Sequence, residues 1–164
     1  MKSKLYEYVV KGPARMTGRN KKILSILDDL IRINIDRITG YEKAAHEEST
    51  PDPEWRARFY RMATDSRAYV NNLHAEVIRL GGAPVTQATI SGKIYLHWLE
   101  GNPRFDGSDI FSRLGACRSA EMSIQKAYHQ ALDEPDQLPP DVHDLIETQL
   151  WALERAYQTY LIHA

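Results

Sequence analysis

The sequence predicts an all-α fold: four long helices in a bundle, with one long crossover between the second and the third. Three observations predict it. Four stretches repeat their apolar residues three and four apart, the period of one helix face. Turn-forming residues fall between them, at Ser49-Thr50-Pro51, Gly81-Gly82 with Pro84, and Asp133-Glu134-Pro135. Beyond residue 20, no run alternates apolar and polar residues over the length of a strand.

The first helix is expected from Asn20, a good N-cap residue, to about Glu48. Its stripe is Ile23, Leu27, Leu30, Ile38, Tyr41 and Ala45. Asn34 interrupts the stripe where an apolar residue is due, and Asp36, Arg37 and Glu42 form an ionisable cluster nearby. Gly40 lowers helix propensity by about 1 kcal/mol relative to Ala, and such a glycine often permits close approach of a neighbour.

The second helix opens at Asp52-Pro53-Glu54, with a cap, a proline suited to the first position and an acid at the positive end of the dipole. Its stripe is Trp55, Phe59, Met62, Ser66, Tyr69 or Val70, Leu73, Val77 and Leu80. Gly81-Gly82 followed by Pro84 is a C-terminal signal. The connection from Gly81 to Gly107 is too long for an unstructured loop in a compact domain. A short crossing helix over Ser91 to Glu100, anchored by Trp98, is expected within it.

The third helix follows Asp106 or Ser108, with a stripe that includes Leu114, Cys117, Glu121, Ile124 and Tyr128, and ends at Asp133. The fourth starts at Pro139-Pro140-Asp141, carries Val142, Leu145, Ile146, Gln149, Leu153, Ala156 and Tyr160, and runs almost to the C-terminus. One long crossover between helices 2 and 3, with short links elsewhere, is the ferritin-like variant of the four-helix bundle. It sets helix 3 parallel to helix 2.

Composition narrows the setting. The chain has 164 residues, enough for one domain with a proper core, and a formal net charge of −1. That balance gives no general pull toward nucleic acid or an anionic membrane. No apolar run is long enough to span a bilayer, and LYEYVV near the start is too short and polar for a signal sequence. Cys117 is the single cysteine, which rules out an intramolecular disulfide and suits a cytoplasmic protein. Residues 1–20 are basic, with Lys2, Lys4, Lys11, Arg15 and Arg19 against Glu7. They read as an N-terminal arm preceding a bundle over residues 21–164. The arm, together with the apolar surplus of helices 1 and 2, points to a homo-oligomer, with a dimer favoured.

Each stripe carries polar groups near its middle: Asn34 and Tyr41, Ser66 and Tyr69, Glu121, and Gln149. A buried polar group left unbonded costs roughly 1–3 kcal/mol, so these side chains should bond to one another or enclose something. Three readings follow: a hydrogen-bonded layer that fixes register, a metal site, and a small-molecule cavity. A di-iron bundle takes one Glu from each of two helices and Glu-x-x-His from each of the other two. Glu48, Glu54, Glu76, Glu121, Glu147 and Glu154 are not followed three residues later by His. Glu121 alone sits where a bridging carboxylate would point inward, which makes it a weak metal candidate, and no cofactor is expected. His74 reads as a half-buried packing residue, while His46, His129 and His143 fall near helix ends. Cys117 reads as a small buried hydrophobe, and Arg118 as a partner for Glu121 or Asp36. No catalytic triad, phosphate loop or nucleotide fingerprint is present.

The segments Asn34-Ile35-Asp36-Arg37-Ile38-Thr39-Gly40-Tyr41-Glu42 and Leu73 to Gly82, a Trp in the crossover and an acid in mid-helix 3 resemble a family of uncharacterised bacterial ferritin-like four-helix-bundle proteins. The resemblance covers about Lys21 to Tyr160. It implies the fold and no established activity. Members of the ferritin-like superfamily often hold a di-iron centre, and this sequence departs from that pattern at the ligand positions. The expected function is that of a non-catalytic structural or stress-related bacterial protein. The alternatives are an iron-dependent oxidase or iron-handling protein with a degenerate site, and a small-molecule binding module.

Overall fold

The computed structural model describes residues 18–46, 52–88, 110–133 and 138–162. They form four α-helices: α1 (Gly18–His46), α2 (Pro53–Arg79), α3 (Ile110–Leu132) and α4 (Pro140–Tyr157). A π-helical turn, Gln158–Ile162, continues α4. Gly18, Arg19 and Asn20, expected in the arm, are already helical, so Asn20 does not cap α1. Residues 1–17 of the arm, and the crossing helix expected at 91–100 with Trp98, lie outside the described residues.

The ends of α2 follow local chemistry. Asp52 has extended backbone angles and its carboxylate accepts from Glu54 N–H, satisfying one of the donors a helix start leaves open. At the other end Gly82 N–H bonds to Val77 C=O and Gly81 N–H to Ile78 C=O, both at 2.9 Å. This is a Schellman closure, and Gly81 takes the left-handed conformation it requires, at φ 82°. The last carbonyls of the α4 end are met from outside. Arg118 of α3 donates from Nε and Nη2 to Leu161 C=O at 3.0 and 2.7 Å. Arg58 of α2 reaches Tyr160 C=O at 3.5 Å. Cations at a helix C-terminus also complement its dipole.

Side-chain contacts fix the helix directions. Tyr41 stacks on Phe59 and Asn34 meets Ser66, so α2 runs antiparallel to α1. Arg37 meets Glu121 and Asn34 meets Tyr128, so α3 is antiparallel to α1 as well. Therefore α2 and α3 point the same way. Tyr128 with Gln149, and Arg118 with Leu161, set α4 antiparallel to α3. Arg79 with Asp141, and Arg58 with Tyr160, set it antiparallel to α2. Round the bundle the order is α1, α2, α4, α3.

Two helices that point the same way need a connection as long as the bundle. Its first part, residues 82–88, turns back along α1 and α2. Gly82 packs where a Cβ would come within 2.7 Å of Leu24 Cδ2. His74 Nε2–H donates to Val85 C=O at 2.9 Å, and Arg32 Nη1 donates to Ala88 C=O at 3.3 Å.

The core joins the apolar faces of all four helices. Leu27, Ile31, Phe59, Met62, Leu73, Ile124, Ile146 and Leu153 are fully buried. Gly81→Ala forces a Cβ into the left-handed region and should cost about 1–2 kcal/mol. Urea denaturation should show a lower midpoint at unchanged slope, and thermal melting a fall of several degrees.

Candidate functional site

A polar layer crosses the middle of this core. Asn34, Asp36, Arg37, Ser66, Glu121 and Gln149 are buried among the apolar side chains, as are the rings of Tyr41 and Tyr128. Arg37, on α1, is fully buried, and burial of a guanidinium demands that its donors be met. Its Nε and Nη2 donate to the two oxygens of Glu121 on α3, at 2.7 and 3.3 Å. Its Nη1 donates to Met62 C=O and to Ser66 Oγ on α2, both at 2.8 Å. Tyr41 lies one turn along α1 and donates its hydroxyl to Glu121 at 2.9 Å, with its ring beside the guanidinium. The carboxylate is thus held by a fork of two charge-assisted bonds and a phenol.

The layer continues without charge. Ser66 Oγ–H donates to Asn34 Oδ1 at 2.9 Å. The Asn34 amide donates to Leu30 C=O and to the Tyr128 hydroxyl, both at 2.8 Å. Tyr128 donates to Gln149 Oε1 at 2.7 Å, and Gln149 Nε2 donates to Tyr69 C=O at 3.2 Å. Burial pushes the Tyr128 phenol far above the ordinary tyrosine range, opposed in part by its bond to Asn34. Tyr69 is raised in the same direction, again by burial first.

Of the residues expected in the layer, Asn34, Tyr41, Ser66, Glu121 and Gln149 are joined by these bonds. Tyr69 contributes its backbone carbonyl instead of its phenol. Three members, Asp36, Arg37 and Tyr128, were not expected there. Arg37 was grouped with Asp36 and Glu42 as one ionisable cluster, and that cluster divides. Arg37 and Asp36 are both buried, whereas Glu42 is half-buried and pairs with Arg67 of α2. Tyr128 was counted only as an apolar stripe residue. Arg118 does not pair with Glu121 or Asp36, because the π-helical turn offers it the Leu161 carbonyl. Cys117 and Glu121 are both buried.

Glu121 was the candidate ligand for a metal. Each of its oxygens accepts from Arg37, and one also accepts from Tyr41. Among the described residues Glu121 and Asp36 are the buried carboxylates and no buried imidazole accompanies them, which does not fit a di-iron pair with its four Glu and two His. Among the described residues, His143, Asp144 and Glu147 bring three ligand atoms within 4.8 Å of one another. They lie on the outer surface of α4. His74 is half-buried and spent on Val85, and His46 and His129 are exposed.

Arg37→Met leaves Glu121 buried without its cation and should destabilise the fold by about 3–5 kcal/mol. Glu121→Met should do the same, and the double variant should recover a large part of the loss, so that a double-mutant cycle in urea reads a coupling well above zero. For pH, Tyr128 has a folded pKa raised above its unfolded value near 10. Its contribution is complete below pH 10 and is lost as pH climbs toward the folded value. Stability should therefore fall above about pH 10. In a spectrophotometric titration Tyr128 should ionise only with unfolding, and Tyr128→Phe should flatten that alkaline fall.

A comparison with curated proteins finds no match. A family model described as a domain of unknown function, DUF2383, matches residues 22–134, from the start of α1 to just past the end of α3. With more than half of its length inside that match, the chain belongs to the DUF2383 family.

Proposed function

We propose that this protein is a non-catalytic, self-associating bundle of the ferritin-like kind, with a structural or stress-related role in the bacterial cytoplasm. One observation carries the non-catalytic reading: both oxygens of Glu121 are held by the Arg37 guanidinium. In a di-iron bundle a mid-core carboxylate serves as a metal ligand. Here its charge is neutralised by a side chain that does not give up its proton. Ser66, Asn34, Tyr128 and Gln149 are bonded to one another in sequence, which supports the reading that the layer sets helix register. The ferritin-like reading is supported by the common direction of α2 and α3 and by residues 82–88 heading back along α1. The cytoplasmic setting is supported by the single buried cysteine.

Elemental analysis of protein expressed with iron supplementation tests the proposal. Iron well below one atom per chain is the expected result. Stoichiometric iron that survives dialysis, and that Glu121→Gln abolishes while the fold persists, would instead establish an iron-handling protein.

A further inference from the structure

The outward face of α4 carries a ridge at helical spacing: Asp144, Glu147, Thr148, Trp151, Arg155 and Gln158, all exposed. At its centre Trp151 is 72% exposed, more than the other exposed large hydrophobic side chains among the described residues. Open hollows of about 630 and 510 Å³ flank the ring, and both are also lined by Arg155. Met122 of the neighbouring α3 is 62% exposed. A tryptophan in this position has the size and shape of an interface anchor.

The charges around it have a symmetry. Glu147 lies four residues before Trp151 and Arg155 four residues after it. Eight residues span about 12 Å of helix, too far for the two to pair within one chain. Neither forms an ion pair or hydrogen bond with another described residue. The adjacent Glu154, by contrast, is engaged by His129 at 3.1 Å. A two-fold axis through Trp151, relating two antiparallel copies of α4, exchanges these positions. Glu147 of each copy then faces Arg155 of the other, Thr148 faces Glu154, and Asp144 faces Gln158. The two Trp151 rings meet at the axis, each beside a hollow of the opposite copy. An isologous contact of this kind closes on itself and forms a dimer rather than a filament.

We infer that the Trp151 face of α4 is the homodimer interface, with two reciprocal Glu147–Arg155 pairs setting its register. The inference rests on the self-association proposed above, and it places the contact on α4 rather than on the N-terminal arm.

Analytical ultracentrifugation of the full chain over a range of concentrations and salt tests both. The wild type should dimerise, and more weakly as salt rises. Trp151→Ala should raise the dimer dissociation constant by at least about 30-fold. Glu147→Arg and Arg155→Glu should each weaken the dimer, and the double exchange E147R/R155E should restore it. All four variants lie on the surface, and unchanged circular dichroism and melting show that they fold. A wild type that stays monomeric at high concentration overturns self-association and the interface together. A dimer that none of these variants weakens leaves self-association standing and overturns the α4 face. Loss with Trp151→Ala but no recovery in the double exchange overturns the antiparallel register.

Discussion

The bundle depends on satisfying one buried guanidinium. Arg37 is withdrawn from water in the middle of α1, where its donors cannot be left open. It meets them by reaching Glu121 on α3 and Met62 and Ser66 on α2. Those contacts hold in only one axial position of three helices. A slip of α1 by one turn, about 5.4 Å, would keep apolar residues facing apolar residues but would separate the guanidinium from all three partners. Apolar burial is non-directional and tolerates such slips. A buried ion pair often adds little net stability over well-packed apolar residues, while breaking one is severe. The pair therefore acts mainly by penalising alternative registers.

The rest of the layer extends the same constraint to α4. Ser66 is the joint, accepting from Arg37 and donating to Asn34. Tyr128 repeats that role one step on, accepting from Asn34 and donating to Gln149. Each hydroxyl is used in one sense, so the direction of the chain of bonds is set by its charged end. Gln149 closes it on the backbone of Tyr69, one turn from Ser66 on α2. The side chain of α4 that enters the layer is thereby tied to both helices flanking it, and α1, on the diagonal, reaches it through Tyr128. Such linked bonds polarise one another in a low-dielectric interior.

The parts of this arrangement differ in how far the sequence displays them. The helices are legible because their stripes hold a 3.6-residue period, and Asn34, Ser66, Glu121 and Gln149 are legible as polar residues on that period. Arg37 is not, because it falls off the apolar stripe, in an ionisable cluster with Asp36 and Glu42. Its signal was its spacing, three residues after Asn34 and four before Tyr41. Tyr128 is hidden because its ring is apolar and fits the stripe, although it lies two turns from Glu121 on the same face. Tyr69 was the right residue through the wrong atom, since a backbone carbonyl has no signature in a side-chain pattern. Arg118 shows the limit of i, i+3 spacing. Its partner is a carbonyl presented by a π-helical turn, and that turn depends on tertiary contacts.

A carboxylate at the centre of a helical bundle must be neutralised by a proton, a bound metal or a fixed cation. The three differ in permanence. A proton follows pH and a metal follows supply, whereas an arginine is synthesised with the chain and keeps its charge throughout the accessible pH range. A cation arriving from solution would have to compete with more than one ion pair. Displacing the guanidinium from Glu121 also strains its bonds to Met62 and Ser66, and through Ser66 the placement of Asn34. The same geometry that makes Arg37 a strict register for the helices thus makes it a poor leaving group. A site that is part of the fold's own alignment cannot easily be emptied to bind something else.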